Sequence, residues 1–565
     1  METRLLIVGG VAGGATAAAR ARRIDETAKI ILFERGEYIS FANCGLPYYI
    51  GDVIRSRESL LVTTPQDFSE RYRIDIRVFH EVLAIDRANK SLRVKVLTTG
   101  HIYEEHYDKV ILSPGSEPIK PAIEGIHTEG VFSVRSIPDS DRIRKMVAEK
   151  KPREAVVVGG GFIGLEMAEN LTERGVKTTI LEVLDQVMPS LDYEMAGHLH
   201  AHLRSKGVKL MLKEGLQSLS RENDRIVVNT TRSGSITCDM AILSMGIRPE
   251  NRLAKDAGLD TSEKGHIIVN PSMATSDGDI FAIGDAVLVR DYLTGLPVNT
   301  ALAGPANKQA RIAADNSLGR KSIFRGTLGT SIVKVFELTA ASTGLNEKGL
   351  KARSVPYLVS YTHSGSHASY YPGAETMSIK LLFAPNTGTV LGAQIVGKDG
   401  VDKRIDVISS AIHAGMSVFD LEELELAYAP PYSSAKDPVN MAGFVAANML
   451  KGDHMTINWD GLASLDREQN ILVDLRNADE LEAAGLIEGA VNIPLNGLRK
   501  VLSSLDRTKT YIVFCAAGLR GYIAHRILAQ QGFRSFNLSG GYRTYLGAKD
   551  RIMEESGQTK LWLSE

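Results

Sequence analysis

AVVVGGGFIGLEMAENL, residues 155–171, decides how this chain is read. Four successive apolar residues with no polar alternation predict a strand buried on both faces. A glycine turn and an amphipathic helix follow. Gly159, Gly161 and Gly164 complete G-x-G-x-x-G, with Phe162 and Ile163 opening the helix. Such a turn presents backbone N–H groups to a pyrophosphate at a helix N-terminus. The next strand, KTTILE, ends at Glu182, an acid that prefers a free ribose 2′-hydroxyl and repels a 2′-phosphate. Residues 183–186 (VLDQ) offer no cation, so NADH is favoured over NADPH.

The same plan opens the chain. LLIVG leads into GGVAGG, residues 9–14, then ATAAARARR, then KIILFE ending at Glu34. Gly9, Gly13 and Gly14 flank Val11 and Ala12, with Val11 at the usual second glycine. The strand before, the helix after and the acid beyond restore the reading of a dinucleotide turn. LSPGSEP brings Ser113, Pro114 and Gly115 after an apolar strand, and LSMGIRPE, with Gly246, repeats it about 130 residues later. TSDGDIFAIGDAV then places Asp285 at the end of another apolar strand. This order fits two nested nucleotide domains, the second inserted into the first.

Residues 326–450 show strands (SIVKVFELTAA, SIKLLFA, TVLGAQIVG), a helix (RIDVISSAIHAGM) and no phosphate loop, which suits an interface domain. Residues 451–467 read as a linker. A compact α/β pattern of about 100 residues closes the chain. At 565 residues the length suits three to five domains of roughly 100–200 residues each. A net charge of -1 gives no electrostatic case for nucleic acid or membrane binding. There is no run of about 18 apolar residues and no signal-peptide pattern. Three dispersed cysteines suit a reducing cytoplasm.

The cysteines carry the chemistry. Cys44, in SFANCGLPYY, has no cysteine nearby, so its redox partner is a small thiol or an oxygen, as in a sulfenic acid. Cys515, in CAAGLRG, follows a strand and opens a loop whose N–H groups, with the helix dipole, lower a thiol pKa. Cys238, in SITCDMAIL, is structural. Arg20 and Arg23 lie three apart, near one helix face, and Arg71 and Arg73 add charge.

In motif order, residues 1–450 resemble the pyridine nucleotide–disulfide reductase superfamily. SFANCGLPYYI is similar to its single-cysteine branch, which holds coenzyme A-disulfide reductases, NADH oxidases and NADH peroxidases. HASYYPGA with YAPPYSSAKDPVN points to the first of these. Residues 460–565 resemble a rhodanese domain through Asp474-x-Arg476, GAVNIP, Cys515 and GGYRTY. The whole resembles coenzyme A-disulfide reductase–rhodanese fusions, the NADH-dependent persulfide reductases.

The resemblance implies an α/β fold: two nested Rossmann-like nucleotide-binding domains, an α+β dimerisation domain and an α/β rhodanese domain. It implies an FAD-binding domain at 1–115 and 245–325, an NADH-binding domain at 116–244, a dimerisation domain at 326–450 and a rhodanese domain at 468–565. FAD would lie on Gly9, Val11, Ala12, Gly13, Gly14, Glu34, Arg35, Ser113, Pro114, Gly115 and Asp285. NADH would lie on Gly159, Gly161, Phe162, Ile163, Gly164, Glu182 and Gly246. Coenzyme A would meet Arg20, Arg23, Arg71, Ser40 and Asn43. Tyr432, with Tyr370 or Tyr371, would sit over Cys44 from the other subunit of a homodimer and protonate the leaving CoA thiolate. No metal is implied.

The expected substrates are CoA persulfide, polysulfide and CoA disulfide, with Cys515 relaying sulfane sulfur and Arg520 steadying its anion. Ala516 stands where many sulfurtransferases carry arginine, which argues against thiosulfate as the best donor. Two alternatives remain open: an NADH oxidase or peroxidase cycling Cys44 through sulfenic acid, and a sulfur carrier or redox sensor.

Overall fold

The computed structural model describes residues 2–556. The end of the expected rhodanese stretch, 557–565, lies outside the described residues. The described residues divide into two compact units: residues 2–185 with 208–329, and residues 186–207 with 330–556.

The first unit holds two five-stranded parallel sheets. One runs Ile280–Ala282, Lys109–Leu112, Arg4–Val8, Lys29–Glu34, Asp75–Val78. The other runs Lys209–Leu212, Lys177–Glu182, Glu154–Val158, Met240–Leu243, Val131–Ser133. Every strand of the second sheet falls, in sequence, between Leu112 and Ile280 of the first, so one nucleotide fold is nested in the other. The unbroken apolar strands are the reason the sheets are parallel and covered: Leu5, Leu6 and Ile7 are wholly buried. The helix Ala12–Ile24 is alanine-rich where it packs on the helix Ala303–Ser317, whose Ala310, Ala313 and Ala314 are also buried.

The second unit has a five-stranded antiparallel sheet of Ser331–Val335, Leu338–Gly344, Val390–Gly397, Thr376–Phe383 and Leu358–Gly365. SIVKVFELTAA, read as a single strand, folds as a hairpin. Phe336 takes φ 53 at its turn, the left-handed geometry that a tight hairpin demands. A parallel sheet follows: Thr456–Ile457, Arg534–Leu538, Thr510–Phe514, Asn470–Asp474, Val491–Asn492. Its edge strand lies inside the stretch read as a linker. Trp459 and Leu462, also from that stretch, are buried against this layer, so the segment gains from docking what a free linker would not.

The helix Tyr193–Ser205 belongs to this unit, and two contacts join the layers around it. The backbones of Gly197 and Gly547 meet so closely that a Cβ on Gly197 would stand 1.7 Å from the Gly547 carbonyl oxygen. His363 bridges Ser378 Oγ and Thr544 Oγ1 at 2.9 Å each. Among the described residues, no helix is long and apolar enough to cross a membrane.

Candidate active site

The two glycine turns share one construction. Gly9 has φ 95 and Gly159 has φ 107, and a Cβ on either would strike the backbone of Ser113 or Ser244. A Cβ on Gly14 would lie 1.7 Å from the Gly9 oxygen, and one on Gly164 would lie 1.9 Å from the Gly159 oxygen. These glycines are demanded by packing. Gly161 is different: a Cβ there would meet no protein atom within 4 Å, so close approach of a ligand explains it. The acids close each turn. Glu34 Oε2 accepts from Gly10 N at 2.8 Å, and Glu182 Oε2 accepts from Gly160 N at 2.6 Å. The residues present therefore fit two dinucleotides.

Around the first turn the fold gathers Ser113, whose oxygen faces Gly9, and Asp285, which accepts from Ser116 Oγ at 2.8 Å. Cys44 is open to solvent beside Asn43, whose Oδ1 accepts from the Cys44 N at 3.2 Å. Partial burial, then the charges of Glu166 and Asp285, push its thiol upward. Tyr48 donates to Glu166 Oε1 at 3.3 Å, and burial chiefly raises the Glu166 carboxyl to about 7. Ser40 holds φ 46 and donates to the Gly10 oxygen at 2.9 Å. Arg35 reaches Glu117 and Glu250 at 3.4 and 3.7 Å. Of the cations read for coenzyme A, Arg23 and Arg71 are exposed, while Arg20 pairs with Asp315 at 2.7 Å. Cys238 is buried in an apolar cluster, and burial pushes its thiol up to about 12.

In the second unit, Tyr370 and Tyr432 are 74% and 73% exposed. Tyr370 Oη lies 2.7 Å from Tyr428 Oη, whereas Tyr371 turns edge-on to His367. The loop bearing Tyr432 is fixed by buried Arg404, which bonds Asp437 and Ser433 at 3.0 and 3.1 Å.

Cys515 lies at the end of its strand, 2% exposed, and accepts the Gly518 N–H at 3.1 Å. Gly541, at φ 60, lets Tyr542 N donate to the Cys515 oxygen at 2.8 Å. Asp474 and Arg476 form a wholly buried ion pair at 2.6 Å, and the guanidinium stacks on Tyr542. Arg520 is held through both terminal nitrogens by Glu480, each at 2.6 Å.

Residues 3–310 match the model of the pyridine nucleotide-disulphide oxidoreductase family, 330–438 match its dimerisation domain and 460–548 match the rhodanese-like domain. The chain belongs to the pyridine nucleotide-disulphide oxidoreductase family. It is a flavin-dependent member with a C-terminal rhodanese domain. It is 36% identical over 448 residues to coenzyme A disulfide reductase of Staphylococcus haemolyticus, covering 79% of this chain and 100% of that one. Its structure is similar to reduced Bacillus anthracis CoADR-RHD, with TM-score 0.95, 48% identity, and 98% and 99% of the two chains covered. It is also similar to a NAD-dependent persulfide reductase from A. fulgidus, with TM-score 0.90, 36% identity, and 96% and 100% covered. The match to coenzyme A-disulfide reductase–rhodanese fusions is thereby shown.

Four partners of the predicted residues escape a linear reading: in the first unit Tyr48 and Glu166, near Cys44, and in the second unit Tyr428, beside Tyr370, and Glu480, on Arg520. Glu166 looks like one more polar residue in a fingerprint helix, and Glu480 like the N3 acid of an Asn477 capping box. Glu166 supplies a prediction. Below pH 7 its carboxyl is protonated, and above pH 7 its charge opposes the Cys44 thiolate. In Glu166→Gln, alkylation of Cys44 by iodoacetamide, followed by peptide mass spectrometry, is expected to match wild type near pH 6. Above pH 8 it should run roughly two- to fivefold faster. Identical profiles at both pH values would separate Glu166 from the thiol.

Proposed function

We propose that this protein uses NADH to reduce the S–S bond of coenzyme A disulfide and of CoA persulfide at Cys44. Cys515 takes sulfane sulfur from a persulfide or polysulfide and loads it onto the CoA thiol. The observation that carries this reading is a solvent-open, solitary Cys44 thiol beside a dinucleotide turn, in a chain with a second thiol on a rhodanese loop. A lone thiol completes a disulfide cycle only if the substrate brings the second sulfur.

Cys44 thiolate attacks CoA disulfide, forming Cys44–S–S–CoA and expelling one CoA thiolate. On CoA persulfide the leaving group is hydrosulfide. Two electrons and a proton then return Cys44 as thiolate and release the CoA thiol. FAD, when bound, supplies the route by which an electron pair from NADH reaches sulfur. Partial burial, then Glu166 and Asp285, disfavour an anion at Cys44, which supports a resting mixed disulfide that carries no charge at sulfur.

The turn at Gly9–Gly14, with Glu34, Ser113–Gly115 and Asp285, would hold FAD in a domain of residues 1–115 and 245–325. The turn at Gly159–Gly164, with Glu182 and Gly246, would hold NADH in residues 116–244. Arg23 and Arg71 meet the phosphates of coenzyme A, with Ser40 and Asn43 at its thiol end. Tyr432, with Tyr370 or Tyr371, comes from the partner of a homodimer built through residues 326–450 and protonates the leaving thiolate. The rhodanese domain occupies 468–565, and the protein works in the cytoplasm.

The test is oxygen-free NADH oxidation with CoA disulfide, CoA persulfide, polysulfide and hydrogen peroxide offered separately. Sulfur substrates are expected to outrun peroxide by about tenfold or more in kcat/KM. Faster turnover with peroxide would replace this reading with a Cys44 sulfenic-acid peroxidase. Labelled sulfur passing only to a protein acceptor, without NADH turnover, would make the chain a carrier or sensor.

A further inference from the structure

The arginines nearest the Cys515 strand and loop are both paired with acids: Arg520 with Glu480 and, at the end of the adjoining strand, Arg476 with Asp474. Arg476 is neutralised by Asp474, both buried, through bonds from Nε and the terminal nitrogen. Arg520 is the guanidinium nearest the sulfur in sequence, and it interacts with Cys515. Both of its terminal nitrogens also donate to Glu480, at 2.6 Å each, so its positive charge is paired. The loop adds no charge, since residues 516–519 read AAGL. Leu519, 65% exposed, gives it an apolar lip. The sulfur is thus presented by one backbone N–H, from Gly518, and by an arginine already paired.

We propose that Glu480 sets the donor class of the Cys515 site: by pairing the charge of Arg520 it makes Cys515 selective for organic hydropersulfides, which carry at most one negative charge, over dianionic donors such as thiosulfate. The inference rests on the reading of Cys515 as a sulfane-sulfur acceptor and names the donor for that site.

With a hydropersulfide, Cys515 thiolate attacks the terminal sulfur of R–S–SH. The new S–S bond gives Cys515–S–SH, and R–S⁻ leaves with the electron pair of the broken bond. With thiosulfate, the same attack gives Cys515–S–S⁻ and expels sulfite. That route brings two negative charges up to a thiolate, and only a free cation offsets their repulsion. Arg520 would be that cation if Glu480 were not charged. The Arg520 bonds pull the Glu480 carboxyl down to about 2, so the pair stays ionised at any pH where the protein works.

The test is persulfide formation on Cys515 in the full-length protein without NADH, followed as the gain of one sulfur on the Cys515 peptide by mass spectrometry. Thiosulfate and 2-hydroxyethyl hydropersulfide are the donors. Wild type is expected to load faster from the hydropersulfide. Glu480→Gln keeps an N3 side chain that serves the capping box. It should accelerate thiosulfate loading roughly tenfold, change hydropersulfide loading less than about twofold, and lose that gain in high salt. Glu480→Asp restores the charge and should keep the wild-type donor ratio, which a purely structural role would not predict. Wild type preferring thiosulfate, or an unchanged donor ratio in Glu480→Gln, overturns the inference alone. If neither donor loads wild-type Cys515, the sulfur-acceptor reading falls and takes the inference with it.

Discussion

Under the proposed cycle, Cys44→Ser is expected to lower NADH-dependent reduction of CoA disulfide by at least about a thousandfold, because it removes the sulfur assigned to attack the disulfide. Serine keeps the size and the neighbouring Asn43 contact, yet its hydroxyl is a poor nucleophile at neutral pH. Neither other thiol can substitute. Cys238 is sealed in an apolar cluster with its thiol raised by burial, and Cys515 belongs to a separate rhodanese loop. NADH should still bleach the flavin in a single turnover, and Cys515 should still take up sulfur from a hydropersulfide. Stopped-flow absorbance and steady-state NADH consumption read the two halves separately. Substantial CoA disulfide turnover in this variant would move the reacting sulfur away from Cys44.

The second large effect is on stability. Lys380 is wholly buried in the second unit, its Nζ 2.9 Å from Asp192, 2.5 Å from Glu194 and 2.7 Å from Glu347. Burial works against its charge, and Glu194, Tyr361, Asp192 and Glu347 together outweigh it, holding its pKa well above the ordinary lysine value. The carboxylates have further partners: Gln394 donates to Asp192 at 2.6 Å, Tyr361 to Glu194 at 2.9 Å and Tyr357 to Glu347 at 2.7 Å. The ammonium is the central counter-charge for three acids that lie within 4.8 Å of one another.

Lys380→Met fills the volume and leaves those acids facing each other. Breaking a buried ion pair from one side costs about 3–5 kcal/mol, which should appear as an early denaturant transition of this unit. Burial raises the Asp192 carboxyl and Lys380 lowers it, with the lowering prevailing. A carboxyl depressed in the folded state gives stability at neutral pH that is lost as pH falls through its folded value. The wild-type advantage over Lys380→Met should therefore shrink in acid. Adding Glu194→Gln to Lys380→Met should recover part of the loss. A change under about 1 kcal/mol would mean that the acids relax into solvent.

The residues themselves determined the nested nucleotide folds, because a parallel strand, a glycine turn and a terminal acid are contiguous. Their geometry follows from local sterics: Gly14 and Gly164 are needed within five residues of the oxygens they approach. Cys44, Cys515 and the Asp474–Arg476 pair were legible for the same reason. The hairpin at Phe336 and the docking of Thr456–Ile457 were not, since a continuous apolar run does not mark where a strand turns, and a two-residue edge strand has no periodicity.

Tertiary structure alone decided which charged and polar side chains meet. Glu166 meets Tyr48 across 118 residues, Arg520 meets Glu480 across 40, and Lys380 meets Glu194 across 186. A charge is visible in a sequence, but its value to a site depends on which opposite charge folding brings beside it. Burial strengthens that effect by removing the water that would otherwise screen it.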